Sequence, residues 1–206
     1  MPDNPDFKVL SNTRAHAGFL KIDVLEVSRG RFDSDESDTI RREVMERGDA
    51  VGIIAYDPVQ DLVIVGRELR AGVLLAGEYP FVYSLPAGGI NKGEDAIKAA
   101  DREIGEEAGI PISNLKVAHD RLYVSAGGTS ERVTLVFGTV TAPRETAVLG
   151  LPEEHENIMR VSMPAKQFFK LAGTREMPDM MTTIGAYWLK EHRPALRKKY
   201  GQPSAA

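Results

Sequence analysis

The sequence predicts an α+β fold: a β extension of about 48 residues, then one domain. Three observations support this. Apolar β-type runs come before and after a single strongly amphipathic helix, and further helical segments close the chain, in the order strands, helix, strands, helices. The 206 residues are 42% apolar and 27% charged, which is ordinary for a soluble domain able to bury a sizeable core. The connections between the periodic segments are short, and there is no internal repeat or low-complexity tract.

Phe19–Val27 (FLKIDVLEV) alternates apolar and polar residues, as an antiparallel strand does. Thr39–Arg47 (TIRREVMER) fits a strand or a short helix, with the strand favoured. Ala50–Tyr56 and Asp61–Val65 are apolar β-type runs on either side of Asp57-Pro58, a turn signal. Phe81–Leu85, Leu115–Val124 and the β-branched Val133–Val140 complete the strands. Glu94–Ala108 is the clearest helix, because Ile97, Ala100, Ile104 and Ala108 form one stripe and Gly109 stops it. Pro164–Leu171 suits a short helix. Residues 178–192 carry Met181, Ile184, Tyr187, Trp188 and Leu189 at helical spacing, a pattern for a packed core rather than a base-stacking platform. Residues 1–6, about 142–157 and the tail after Tyr200 read as loops. The expected division is a β extension over 1–48, a domain over 49–200 and a flexible tail over 201–206.

Composition excludes several functions. The net charge is −4, a poor match to a nucleic-acid track or an anionic membrane surface. No apolar run approaches the roughly 20 residues of a membrane span. With no cysteine, disulfides, thiolate metal sites and a thiol nucleophile are all excluded. The first residues lack a basic segment followed by an apolar one, so a cytoplasmic protein is expected.

The chemistry is concentrated in residues 88–110, GGINKGEDAIKAADREIGEEAGI. Six of the 30 carboxylates lie between Glu94 and Glu107. At about 100° per residue, Glu103 and Glu107 share one helix face and Glu106 lies roughly 60° further round. Arg102 and Glu106 are spaced for an ion pair. Two glutamates one turn apart repel, and a divalent cation converts that repulsion into binding. Glu103 and Glu107 therefore suggest metal-assisted phosphate chemistry, with the backbone of Pro86-Ala87-Gly88-Gly89 close by. A solvated acidic face is the commoner fate of Glu-x-x-Glu-Glu on its own. The wider pattern alters that weighting. Gly88, five residues, Glu94, seven residues, then Arg102-Glu103-Ile104-x-Glu106-Glu107-x-Gly109-Ile110 matches the Nudix box without a mismatch.

The sequence thus resembles a Nudix hydrolase. The resemblance implies an α/β/α sandwich with a mixed central sheet. It also implies Mg²⁺- or Mn²⁺-assisted hydrolysis of a nucleoside diphosphate linked to another moiety. By resemblance, Glu103 and Glu107 hold metal, Glu106 adds to the cluster, and Arg102 and Glu94 hold the box together. The flanks Arg41–Gly48, Val63–Arg70, Leu85–Gly88, Ser125–Arg132 and Pro152–Ile158 look like the ADP-ribose pyrophosphatase branch, a pattern that GDP-mannose hydrolases largely share. That branch implies a small-molecule nucleoside diphosphate sugar as substrate, and a homodimer built through the N-terminal extension.

The branch also implies roles for individual residues. Arg42, Glu43 and Arg70 contact the nucleotide or its phosphates, and Glu131 belongs to the substrate site. The Ala87 carbonyl and Glu156 bind metal, and Glu154 on a closing loop helps to activate water. From the residues alone, Arg70 equally suits a surface ion pair, and Glu154 and Glu156 a solvated loop. Two positions depart from the branch: Ala126 stands where Pro is usual, and Ser84 where Glu is usual. Both bear on which sugar is cleaved. A Nudix-fold module that senses nucleotide without cleaving it is the alternative from another class; retention of every box glutamate weighs against it.

Overall fold

The computed structural model describes residues 6–201 and divides the chain into two compact units. The first comprises residues up to Gly48 together with Tyr123–Arg132, and the second comprises Asp49–Leu122 and the residues from Val133 onward. Most of the expected tail, residues 202–206, lies outside the described residues, as do residues 1–5.

In the first unit, β1 (Phe7–Ala17), β2 (Lys21–Gly30) and β3 (Ser37–Glu46) form an antiparallel sheet in the order β1-β2-β3. β2 and β3 match the two strands read from the sequence, and Thr39–Arg47 resolves as strand rather than helix. β1 was not among the expected strands. Ten of its 11 residues are exposed, so its side chains carry no alternation to reveal it. The turn at Ser125–Gly128 joins this unit through backbone bonds, with Met45 N–H donating to the Gly128 carbonyl at 2.9 Å and Ser130 N–H to the Met45 carbonyl at 3.0 Å.

The second unit is an α/β/α sandwich. Its sheet contains β4 (Ala50–Asp57), β5 (Leu62–Leu69), β6 (Phe81–Ser84), β7 (Ala87–Gly89), β8 (Ser113–Tyr123), β9 (Arg132–Thr139), β10 (Ala147–Leu149) and β11 (Ile158–Pro164). The main path runs β10-β11-β5-β4-β9-β8, while β6 pairs with β5 and β7 with β4. The sheet is mixed: β4 is antiparallel to β5 and parallel to β9, with Ile53 opposite Val136. Among the described residues four α-helices accompany it, α1 (Ala71–Leu75), α2 (Ala96–Ala108), α3 (Ala165–Leu171) and α4 (Met180–Tyr200).

The continuous apolar runs of β4, β5 and β9 have a physical reason, because both faces of these strands are covered. On one face Val51, Ile53, Ala55, Ile64 and Val136 pack with Ala99, Ala100, Ile104 and Ala108 of α2. On the other, Ile54, Tyr56, Val63, Val65, Leu135 and Phe137 pack with Phe168 of α3 and Ala186, Trp188, Leu189 and Leu196 of α4. Trp188 is core, as its spacing indicated, with its ring 5.4 Å from that of Phe137. α4 continues past the expected end at His192 and past Pro194 to Tyr200. Buried Leu196 anchors these extra turns, and Arg193 and Arg197 pair with Asp61. Among the described residues no helix is long and apolar enough to cross a membrane.

Candidate active site

α2 is fixed at both ends. Asp95 caps its start by accepting from the Lys98 N–H at 2.9 Å, and Gly109 ends it in the left-handed region at φ 62°. Arg160 of β11 is buried and donates from Nη1 to the Ala108 carbonyl at 2.7 Å, satisfying an end carbonyl of the helix. The helix face carrying Ala99, Ala100, Ile104 and Ala108 enters the core, and this fixes where Glu103 and Glu107 lie.

Arg102 ties the box together. Its guanidinium donates from Nε and Nη2 to the two oxygens of Glu94 at 3.1 Å each, and from Nη2 to the Gly89 carbonyl at 2.9 Å. Nη1 donates to Glu103 at 2.7 Å and to Glu106 at 3.1 Å. The Glu94 carboxylate also accepts from the Asn91 N–H at 2.9 Å, which anchors the loop before the helix. Arg102 holds Glu94 below its ordinary carboxylate range, and Glu94 in turn raises Arg102, so both remain charged.

Glu103 and Glu107 are both buried, at 8% and 6% exposure. Glu107 accepts from the Ala87 N–H at 3.0 Å, so Ala87 reaches the site through the neighbouring strand β7. Gly88 lies against the Glu103 carboxylate, and a Cβ there would overlap it. A side chain at this position would therefore displace the Glu103 carboxylate. Burial pushes Glu103 upward against the opposing Arg102 hydrogen bond, with Glu106 and Glu156 adding to the rise. Burial likewise pushes Glu107 up to about 8; the Ala87 N–H and Arg70 oppose this, and Glu68 and Glu103 reinforce it.

A further carboxylate belongs to this cluster. Glu68 on β5 is raised by burial and by Glu156, against the pull of Arg70. It lies 2.8 Å from Arg70 Nη2, which also donates to the Ser84 hydroxyl at 2.7 Å. Glu68 was not among the residues chosen from the sequence. In Arg67-Glu68-Leu69-Arg70 it reads as one more strand-end charge, and only the fold brings it beside α2. Glu156 is half-buried and accepts from the Leu151 N–H at 3.0 Å.

The structure thus brings together Arg70, Ala87, Glu103, Glu106, Glu107 and Glu156, and adds Glu68. Glu154 is not drawn into the cluster; it is exposed on a single 3₁₀ turn, Pro152–Glu154. Arg42, Glu43 and Glu131 belong to the first unit. Arg42 donates to the Arg41 carbonyl at 2.9 Å, Glu43 accepts from Arg41 at 3.2 Å, and the buried Glu131 lies 3.5 Å from Arg47.

The donor set suits a hard divalent cation. It includes the carboxylate oxygens of buried Glu103 and Glu107, the second pushed up to about 8 by burial. Among the described residues, no three His, Cys, Asp or Glu side chains already stand around one ion position. Arg102 holds Glu103, and the Ala87 N–H holds Glu107. A cation would therefore exchange places with these partners.

Comparison with known proteins agrees with this geometry. The NUDIX domain family profile matches residues 46–183. The ADP-ribose pyrophosphatase of Escherichia coli (strain K12) is 29% identical over 195 residues, covering 95% of this chain and 93% of that protein. The ADP-ribose pyrophosphatase of Haemophilus influenzae is 29% identical over 198 residues, covering 95% and 91%. The GDP-mannose pyrophosphatase of Salmonella typhimurium is 23% identical over 144 residues, covering 70% and 74%. A solved structure described as an ADP compounds hydrolase superposes with a TM-score of 0.71 at 19% identity, covering 97% of this chain and 98% of that one.

Proposed function

Because the chain belongs to the NUDIX domain family and is a hydrolase, we propose that it cleaves the pyrophosphate of a nucleoside diphosphate sugar with the aid of Mg²⁺ or Mn²⁺. ADP-ribose is the preferred substrate, and AMP and ribose 5-phosphate are the products. The observation that carries this is the carboxylate set of buried Glu103 and Glu107 with half-buried Glu68 and Glu156, beside Arg70. It combines carboxylates that burial makes costly to ionise with an arginine suited to phosphate.

Glu103, Glu107 and Glu156 would hold the metal, helped by Glu106 and the Ala87 carbonyl. When bound, the metal supplies neutralisation of phosphate charge and a lowered pKa for water. Arg70 binds a phosphate oxygen through the guanidinium donors that Ser84 and Glu68 leave free. Arg102 keeps Glu103 and Glu106 in register. Glu154, exposed on its turn, takes the proton from the attacking water once the loop meets substrate, so that hydrolysis waits for substrate to be present. A box glutamate, Glu106 or Glu107, is the other group able to do so. The new bond joins water oxygen to one phosphorus, and the bridging P–O bond breaks.

Arg42, Glu43 and Glu131 are assigned to the nucleotide side of the site, with the first two reaching it across a homodimer. The first sheet supports a dimer. Val24 is its one buried apolar side chain among the described residues, while Phe7, Val9, Leu10, Phe19 and Phe32 are exposed. A small sheet exposed to this extent needs a partner surface.

A second reading takes GDP-mannose or another nucleoside diphosphate sugar as substrate. Ser84, Ala126 and the likeness to the GDP-mannose pyrophosphatase favour it. The test is incubation with ADP-ribose and Mg²⁺, with and without a chelator, and chromatography of the products. AMP and ribose 5-phosphate that disappear under chelation support the proposal. Tight binding without products would overturn it in favour of a nucleotide sensor.

A further inference from the structure

We propose that Glu68 is a positioning residue for the phosphate-binding arginine, acting with Ser84 to lock the Arg70 guanidinium in one orientation; this rests on the phosphate role of Arg70 given above. Glu68 and Arg70 are two residues apart at the end of β5, so their side chains leave the extended backbone on the same side. β6 runs antiparallel alongside, with Gly66 opposite Ser84 and Glu68 opposite Val82. The Ser84 hydroxyl comes from the same strand pair, and Ser84 is buried at 3% exposure.

The contacts share one nitrogen. Arg70 Nη2 donates to Ser84 Oγ at 2.7 Å and lies 2.8 Å from Glu68 Oε1. Ser84 takes a hydrogen bond from this nitrogen, and Glu68 holds it as an ion pair. Nη1 and Nε have no partner among the described residues. The side chain of Glu68 is 17% exposed and that of Arg70 is 40% exposed. The arginine is thus gripped at its inner nitrogen and left open elsewhere. The backbone before it is fixed too, because the Arg70 N–H donates to the Pro80 carbonyl at 2.9 Å. A guanidinium held in this way loses less rotamer freedom when a phosphate arrives than a free one does. A surface ion pair would leave the arginine without a second, buried partner; Ser84 provides one.

A double-mutant cycle on the full-length protein tests this. Glu68→Gln, Arg70→Ala, the double variant and Ser84→Ala are compared in KM and kcat for ADP-ribose with Mg²⁺. The Kd for ADP-ribose in chelator is measured by calorimetry. Glu68→Gln is expected to raise KM and Kd about tenfold with kcat held within about twofold, the scale of losing one partly buried ion pair beside a phosphate site. Ser84→Ala is expected to raise both in the same direction. In the Arg70→Ala background, Glu68→Gln should cause no further loss. Unchanged KM and Kd in both Glu68→Gln and Ser84→Ala, with a loss in Arg70→Ala, would overturn the positioning role and leave the phosphate role of Arg70 intact. Losses that multiply in the double variant would show Glu68 acting independently of Arg70, which also overturns it. No loss in Arg70→Ala would overturn both readings.

Discussion

Single residues explain why the acidic helix is not an ordinary solvated face. Glu107 has an ordinary carboxyl pKa of 4.5, and burial with Glu68 and Glu103 nearby takes it to about 8. Its protonated form is therefore favoured by folding. That contribution is complete below about pH 4.5 and is lost as pH rises through about 8. A Glu107→Gln variant keeps the acceptor for the Ala87 N–H and removes the charge. Without metal it should be more stable than the parent, by a few kcal/mol at pH 8 given about 1.4 kcal/mol per pKa unit, and by little at pH 5. Its turnover with Mg²⁺ should fall by about 100-fold or more, the scale expected when an electrostatic contact to the transition state is removed. Urea titrations at the two pH values and steady-state assays check both; equal stability throughout would refute the buried-charge account. Ser84 also gains a physical reading at this scale. It stands where the resemblance expects a glutamate, and the carboxylate that meets Arg70 comes instead from Glu68 on the adjacent strand. The box residues were legible because their spacing is fixed within one helix. Glu68 was not, because its meeting with α2 depends on how β5 lies in the sheet.

At the scale of elements, the site rests on β7 meeting α2. β7 is only three residues long and pairs with β4 at Gly52–Ala87 through Ala50–Gly89. Nothing in a three-residue Ala-Gly-Gly run marks a strand, so only the helix was foreseen there. The approach is so close that Gly88 has no room for a Cβ beside Glu103, whereas Gly89 faces open space. Gly88→Ala should destabilise the fold by about 1–3 kcal/mol, the cost of overpacking, and cut turnover, because the carboxylate itself must move. Gly89→Ala should change both little. Thermal melts and activity assays of the pair decide; equal behaviour would show that the contact does not matter. The other elements show where periodicity succeeds and fails. α2 announced itself through an apolar stripe between Asp95 and Gly109. β1 did not, because it buries almost nothing, and α4 ran longer than read because Leu196 anchors it beyond Pro194.

Across the whole molecule, the net charge of −4 is less informative than where the carboxylates lie. Several are gathered at α2, β5 and the loop before β11, where a bound cation would reverse the local sign. The α/β/α sandwich came from the family resemblance, and its physical reason is that β4, β5 and β9 are apolar on both faces, a pattern that requires two covering layers. The grouping of Tyr123–Arg132 with the first 48 residues was not, since it depends on backbone bonds to Met45 from 80 or so residues away. The exposed first sheet leads to a prediction at this scale: light scattering should give twice the mass of the chain, and removal of residues 1–48 should abolish the dimer. A monomeric parent would contradict the assignment of Arg42 and Glu43 across the two-fold. Metal-dependent cleavage of a nucleoside diphosphate sugar is decided by a panel of ADP-ribose, GDP-mannose, NADH and diadenosine polyphosphates assayed with Mg²⁺, with the products identified. ADP-ribose should give the highest kcat/KM and yield AMP and ribose 5-phosphate only when Mg²⁺ is present. A panel left intact, or cleavage that survives chelation, would contradict it.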